Sequence, residues 1–291
     1  MQTAAILKNI TAQNAGQAGR TVLALGLILG VTLTHPAQGQ ELIVNGGFET
    51  GTLAGWTAVD APGSATPGGF VIGTNAPDFN FTPPIASTPI GEFPSVGAKS
   101  GDFYAVSDST GLGAHALLQN FTVAPNPKQV VLSYDMFLND WNGAGALNAN
   151  GVLSPSQTNL AGKVIPTQFA AVDLLAGSAA DLTSDVGILN NFYLGEDGFS
   201  ATALPNGYAH FSYDITSLVQ GGGTYRIRFG EVDNQFTLNQ GIDNVSVLAT
   251  PAATPEPGSL ALLIALTGSG AGFLARRHPP ASRRKSGHGT E

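Results

Sequence analysis

The Asp and Glu side chains are the residues of this sequence that could take part in the most kinds of chemistry. Residues 41–254 hold 18 Asp and Glu against five Lys and Arg, a net charge near −13, whereas the whole chain carries −8. Carboxylates suit divalent cations, and a suitably spaced pair can hydrolyse a glycosidic bond. The candidates for such a pair are Asp135, Asp140, Glu196 and Asp197. The same acidity argues against nucleic-acid binding, which needs Lys and Arg.

Other catalytic chemistry finds little support in this central region. It contains no cysteine and only two histidines, His115 and His210, so thiolate chemistry and paired-histidine metal spacing are both absent. No G-x-S-x-G nucleophile motif occurs. The glycine run at 221–223 precedes an expected strand instead of a helix, the wrong order for a phosphate loop. We therefore expect a non-catalytic domain.

Trp56 and Trp141 are the only tryptophans. Trp141 follows an expected strand and enters the polar stretch LNDWNG at 138–143. An indole face there could stack on a sugar ring, because it offers apolar area beside hydrogen-bonding groups. The alternative is packing in the core or at its rim, as most aromatic side chains do. For Trp56, next to a strand start, we expect the core.

The elements that must position these residues are strands. Short segments rich in β-branched and aromatic residues recur between turn residues, and few windows have helical periodicity. We expect strands near 41–45, 55–59, 70–73, 102–107, 116–123, 129–138, 169–175, 208–214, 224–231 and 241–248. Short helices are expected at 215–219 and 182–189, and long loops at 61–101, with one strand, and 139–166. Strands without intervening helices predict an all-β jelly roll or β-sandwich over residues 40–250.

The first 39 residues have the pattern of a secretory signal peptide. A polar, weakly basic stretch leads into the charge-free segment TVLALGLILGVTLT at 21–34, and Ala37 and Gly39 supply small residues for cleavage. The apolar segment is shorter than the roughly 20 residues of a permanent membrane span. The alternative is a buried helix of a cytoplasmic domain.

The last 41 residues, 251–291, are segmented in a comparable way. A Pro-Glu-Pro triplet precedes the charge-free stretch 259–275, and a basic cluster follows at 276–285. The triplet and the first arginines are Pro255, Glu256, Pro257, Arg276 and Arg277. Seventeen helical residues reach about 25 Å, and arginines directly after them hold that end on the cytoplasmic side. We expect a single transmembrane helix with the preceding domain outside the cell.

This tail resembles the PEP-CTERM sorting signal of Gram-negative bacteria. The resemblance implies that an exosortase-type enzyme recognises the tail at the membrane and removes it. The sequence departs from that pattern in its extra residues 278–291. The alternative is an ordinary single-helix anchor with a fortuitous triplet.

The ends of the central domain carry a second resemblance. Its opening, ELIVNGGFETG at 41–51 followed by Gly55-Trp56, and its ending, GIDNVSV at 241–247, resemble carbohydrate-binding-module-like jelly rolls of the galactose-binding-like class. The resemblance implies a structural calcium held by the carboxylates of Glu49 and Asp243, with nearby backbone carbonyls. The alternative is that Asp243 and Asn244 form a turn or pair with the first strand and that Glu49 is solvated.

These features predict an exported, non-catalytic protein of the cell surface or extracellular matrix. It would cross the inner membrane, be sorted by an exosortase-type enzyme, and bind exopolysaccharide. Two alternatives stay open. The first is a secreted hydrolase acting on polysaccharide, for which the spare carboxylates are the only motive. The second is a purely structural matrix component without a ligand.

Overall fold

The computed structural model of the chain describes residues 38–65, 69–108, 111–179, 182–200 and 202–252. Nearly all of the expected signal peptide, and the sorting residues Pro255, Glu256, Pro257, Arg276 and Arg277, lie outside these ranges. Across the ranges that are described, no helix has the length and apolarity to cross a membrane.

The described residues form fourteen strands and one 3-10 helix, η1. The strands are β1 Gln40–Glu41, β2 Thr57–Asp60, β3 Phe70–Thr74, β4 Pro77–Asp78, β5 Ile85–Ser87, β6 Pro94–Ser95, β7 Phe103–Ser107, β8 Gly113–Val123, β9 Gln129–Asp140, β10 Gln168–Ala176, β11 Ile188–Gly195, β12 Ala209–Asp214, β13 Gly223–Asp233 and β14 Leu238–Thr250; η1 is Thr216–Leu218. The all-β expectation is confirmed.

Two antiparallel sheets form a β-sandwich. The first sheet has the order β12-β9-β14-β7-β3, with β1 also paired to β14, and the second has the order β11-β10-β13-β8-β2. A small third sheet, β4-β5-β6, lies within the expected loop at 61–101. The strand expected at 41–45 is wrong except at Glu41: β1 is only Gln40–Glu41, residues 44–45 form a bend, and Asn45 has a φ of 54°, which is not a strand conformation.

Alternation along the long strands builds the core. In β9, Leu132, Tyr134 and Met136 are buried, and in β13, Ile227 and Phe229 are buried in the same cluster. This period of two is what a strand with one face on the core requires. Trp56 is 8% exposed and belongs to the same cluster, so its expected core position is confirmed.

The other face of the second sheet is covered by loops. Leu153, from the long loop after β9, packs among buried side chains of this face, including Phe169 and Val232. Arg228 and Asp173 form a fully buried ion pair there, with Nη2 to Oδ2 at 2.6 Å. The same guanidinium donates to the carbonyls of Leu182, Ser184 and Gly151. Arg228 therefore fastens two loops to the sheet.

One expected helix is wrong. Residues 182–187 form bends and a turn, and β11 begins at Ile188. Gly187 has a φ of 87°, which a right-handed helix does not allow. The segment that follows pairs with β10, and this pairing outweighs local propensity. The short helix expected at 215–219 is confirmed as η1.

Candidate functional site

Several connections meet at one end of the sandwich. Asp140 at the end of β9 is opposite Leu238 at the start of β14, and Asp233 at the end of β13 is opposite Gln168 at the start of β10. The loops after β9 and β13 therefore emerge together. The turn between β5 and β6 lies at the same end. Two backbone amides of this turn, those of Ile90 and Gly91, donate hydrogen bonds to the carboxylate of Asp108, which follows β7. We call this the loop end of the sandwich.

Three aromatic side chains form a row at the loop end. Trp141 and Phe93 are stacked, with ring centroids 5.3 Å apart and planes 23° apart. Phe236 meets Phe93 edge-on at 6.2 Å and 84°. The side chain of Phe236 is 51% exposed, and the other two are half-buried. We call Phe93, Trp141 and Phe236 the aromatic ledge; each belongs to a different loop.

Trp141 is fixed in this row by its own hydrogen bonds. Its indole Nε1 donates to Oδ1 of Asn239 at 2.8 Å, and its backbone amide donates to the carbonyl of Thr237 at 3.0 Å. Both partners lie next to the turn that carries Phe236. The structure thus places the sugar-stacking candidate at the rim of the sandwich, with its ring packed against Phe93; sugar binding by Trp141 stays a prediction.

The turn that carries Phe93 is held from both sides. The backbone amide of Phe93 donates to Oγ1 of Thr88 at 3.0 Å, and that of Glu92 donates to the carbonyl of Thr88 at 3.2 Å. Gly91 donates to Asp108 at 3.1 Å. Burial raises the pKa of Asp108 above the usual value of an aspartate. The ledge is therefore a preorganised surface.

Two of the four carboxylates considered for hydrolysis meet behind the ledge. Asp140 lies close enough to Glu196 to raise the pKa of its carboxyl group, and Gln168 Nε2 donates to Glu196 Oε1 at 2.9 Å. Burial, then the charge of Asp140, raises the pKa of Glu196 to about 7, although the bond from Gln168 opposes the shift. The oxygens of Asp140 also accept three backbone N–H bonds from its own loop.

The other two carboxylates lie apart from this pair. Asp135 points to the outer face of the first sheet, where its Oδ1 is 3.0 Å from Nδ1 of His210. Asp197 follows Glu196 directly but is exposed. The structure therefore assembles Asp140 and Glu196 and leaves Asp135 and Asp197 out.

A buried histidine and glutamate lie between the sheets at the same end. Nδ1 of His115 is 2.7 Å from Asp60 Oδ1, and its Nε2 is 3.8 Å from Glu231 Oε1. His115 Nε2 and Glu231 Oε2 have no hydrogen-bond partner among the residues that the structure describes. Burial, and the nearby charges of Asp233 and Asp60, raise the pKa of Glu231 well above its usual range. Within the described ranges, no three His, Asp or Glu residues are placed to hold a metal ion.

Glu231 is a buried residue that was not expected from the sequence, although its signal was present. The alternation Tyr225, Ile227, Phe229 along β13 continues to Glu231 and Asp233, so the core-facing side of this strand ends in two carboxylates. Continuing the two-residue alternation beyond Phe229 predicts that both side chains lie between the sheets.

The two expected calcium ligands lie at another corner, on the outer face of the first sheet. Glu49 accepts hydrogen bonds from the backbone amides of Asp102 and Phe103 at 3.1 Å. Asp243 Oδ2 accepts from Lys99 at 2.8 Å and from Ser100. Both carboxylates thus hold the same short segment before β7.

The negative charges of Glu49 and Asp243 repel each other at that corner. Burial chiefly, and the charge of Glu49 in addition, raise the pKa of Asp243 to about 6 against its backbone hydrogen bonds. Asp135 is the cross-strand partner of Asp243, and like charges directly opposite destabilise a sheet. The structure brings Glu49 and Asp243 together; calcium binding there stays a prediction.

No family model and no curated protein matches the chain in sequence. Similar solved structures include TmCBM61 in complex with beta-1,4-galactotriose, at 10% identity over 72% of this chain and 97% of that one, with a TM-score of 0.39. The K1 cleaved adhesin domain of Lys-gingipain from Porphyromonas gingivalis W83 matches at 14% over 71% and 96%, with a TM-score of 0.39. A Stig cyclase from Fischerella sp. TAU matches at 17% over 74% and 100%, with a TM-score of 0.42.

Proposed function

We propose that this chain is an exported, non-catalytic protein of the cell surface or extracellular matrix that binds polysaccharide through the aromatic ledge. The observation that carries the binding part is the row Phe93, Trp141 and Phe236 at the rim, held by hydrogen-bonded loops. Trp141 stacks on Phe93, and Phe236, which meets Phe93 edge-on, is 51% exposed. Flat aromatic faces offer apolar area to the C–H side of a pyranose ring.

Polar groups beside the ledge supply the second half of such a site. Asn142 follows Trp141 and Gln235 precedes Phe236, and both side chains are exposed amides. Sugar sites combine apolar stacking with a few placed polar groups that fix orientation. A rigid ledge also reduces the side-chain ordering that binding costs.

Affinity electrophoresis in gels containing the producer's own polysaccharide tests the binding. The full chain should be retarded, and Phe236→Ala should restore its free mobility, because stacking on an aromatic side chain is removed. Phe79→Ala is the matched control, since Phe79 is 80% exposed and lies in the turn at the far end of the small sheet. Equal retardation of the wild type and Phe236→Ala would contradict the proposal.

The export part rests on the sequence of the two ends. A charge-free segment at 21–34 and the Pro-Glu-Pro tail support passage through the inner membrane and sorting by an exosortase-type enzyme. Mass spectrometry of the protein recovered from the cell surface should show neither end intact, and deletion of the sorting enzyme should leave the tail in place. Recovery of the uncut chain from the cytosol would refute export.

The contact between Asp140 and Glu196 favours a second candidate, a secreted polysaccharide hydrolase. A carboxyl group with a pKa of about 7 can act as a general acid near neutral pH. Asp140 is only 4% exposed and caps its own loop, which is why binding is preferred. If the chain releases reducing ends from any polysaccharide and Glu196→Gln abolishes the release, this candidate replaces the first.

A further inference from the structure

We propose that the aromatic ledge selects polysaccharides whose sugars carry free, protonated amino groups, and that Glu92 is the residue that pairs with the ammonium. This inference rests on the proposed function and names the substrate class of the same site.

The first observation is the charge of the three loops that form the ledge. The stretches 88–93, 139–145 and 233–239 contain Glu92, Asp140 and Asp233, and none of them contains Lys, Arg or His. Asp108 stands directly behind the first stretch. Fields of one sign around a cleft attract ligands of the opposite sign and repel those of the same sign.

The second observation is the state of Glu92 itself. Its side chain is exposed and makes no hydrogen bond or ion pair with any described residue, so the carboxylate is available to a ligand. It directly precedes Phe93, the central ring of the ledge. Asp140 and Asp233, by contrast, are buried and accept hydrogen bonds from their own loops.

The third observation is the backbone of Glu92, which has a φ of 54°. This left-handed conformation favours glycine and, less strongly, Asn and Asp, and it is unfavourable for other L-residues. The hydrogen bonds from Glu92 and Phe93 to Thr88 hold the turn in this form. Strained positions of this kind are concentrated at ligand-binding sites, and here the strain keeps a glutamate where a glycine would fit the backbone better.

These observations fit one ligand chemistry. Because the planes of Phe93 and Phe236 are 84° apart, one sugar ring stacks on only one of them, and Phe236 is the more exposed. A glucosamine ring stacked on Phe236 would direct its ammonium to the carboxylate of Glu92 next to Phe93. An N-acetylated sugar would keep the stacking but lose the ion pair. A polyuronate would meet repulsion from the loops and from a domain with a net charge near −13.

Isothermal titration of the full chain with glucosamine oligomers, their N-acetylated counterparts and uronic-acid oligomers of equal length tests the inference. The glucosamine oligomer should bind about tenfold tighter than the N-acetylated one, as one charge-assisted contact predicts, and the uronic-acid oligomer should not bind. Glu92→Gln should remove the preference for glucosamine.

The variant Asp185→Asn distinguishes recognition by Glu92 from the general attraction between a polycation and an acidic protein. This variant changes the net charge by the same amount, but Asp185 is exposed in the β10–β11 connection at the opposite end of the sandwich, and the preference should persist. The inference is overturned if the preference survives Glu92→Gln, or if the amino and N-acetylated oligomers bind equally. In either case the ledge is still a sugar site if Phe236→Ala abolishes binding. If no oligomer binds while the affinity gels still show retardation that Phe236→Ala removes, the inference fails and the proposed function stands; if the gels show no retardation either, both fail.

Discussion

The left-handed backbone of Glu92 predicts that glycine would be more stable at this position, although the proposed binding needs the glutamate. Glu92→Gly should raise the free energy of unfolding by about 0.5 to 1 kcal/mol, because glycine relieves the strain although its unfolded chain is more flexible. Urea denaturation of the full chain measures the change. Glu92→Gln keeps the strain and should leave stability close to wild type. A loss of stability in Glu92→Gly would show that the glutamate side chain stabilises the turn.

Glu196 predicts a dependence of stability on pH. Its pKa rises from 4.5 to about 7 on folding, so the folded state binds the proton more tightly. Its contribution is therefore most favourable below pH 4.5 and is lost as the pH rises through 7. The free energy of unfolding of Glu196→Gln should fall less between pH 5 and 8 than that of the wild type, whereas Asp197→Asn, exposed beside it, should behave as wild type. Parallel pH profiles of Glu196→Gln and wild type would contradict the assignment.

At the scale of elements, the pair Arg228–Asp173 ties β13 to β10 and fastens the covering loops. Arg228→Ala should cost about 3 to 5 kcal/mol, because it leaves the carboxylate of Asp173 buried without its partner. Arg226→Ala is the matched control on the same face of β13, and it should cost about 1 kcal/mol or less, since Arg226 is only half-buried. Urea denaturation gives both values.

The single variant of Arg228 could fail to fold, so the double variant Arg228→Met with Asp173→Leu completes the test. Replacing both charges by apolar side chains removes the uncompensated carboxylate and should recover much of the lost stability. A double variant no more stable than Arg228→Ala would show that the hydrogen bonds from Arg228 to the loop carbonyls matter more than the ion pair.

The central strands were predictable from the sequence because their side chains alternate. The expected strands at 129–138 and 224–231 match β9 and β13 closely, since a long strand with one face on the core has a strong period of two. The edge strand β11 was not predictable, because its apolar and polar residues do not follow its alternating burial: Leu189 and Leu194 are exposed, whereas Asn190 is half-buried. Its stability comes from pairing with β10. The small sheet β4-β5-β6 was not predictable either, because its short strands lie in a segment rich in turn residues, which predicts a loop.

The candidate site was predictable only in part, for a related reason. Trp141 stood out by type and by its position at a strand end. Phe93 and Phe236 did not, because the ledge depends on three loops that are distant in sequence and meet only through the sheet register. The pairing of Asp140 with Glu196 is likewise a product of the fold, since these residues come from different sheets.

At the scale of the whole molecule, the corner formed by Glu49 and Asp243 joins the first residues of the domain to its last strand. We propose that calcium binds there, since hard cations prefer carboxylate and carbonyl oxygens, and the ion would offset the repulsion between Glu49 and Asp243. Because the unfolded chain would lack the site, calcium should raise the melting temperature in a concentration-dependent way.

The variants separate this site from general screening of an acidic protein. Asp243→Asn should abolish the rise in melting temperature with calcium, whereas Asp185→Asn, which removes one exposed charge elsewhere, should retain it. Magnesium at the same concentration controls for ionic strength, because it accepts such flexible, high-coordination sites poorly. If chelator and calcium give the same melting temperature in the wild type, the backbone hydrogen bonds to Glu49 and Asp243 are sufficient, and the two carboxylates serve only to hold the segment before β7.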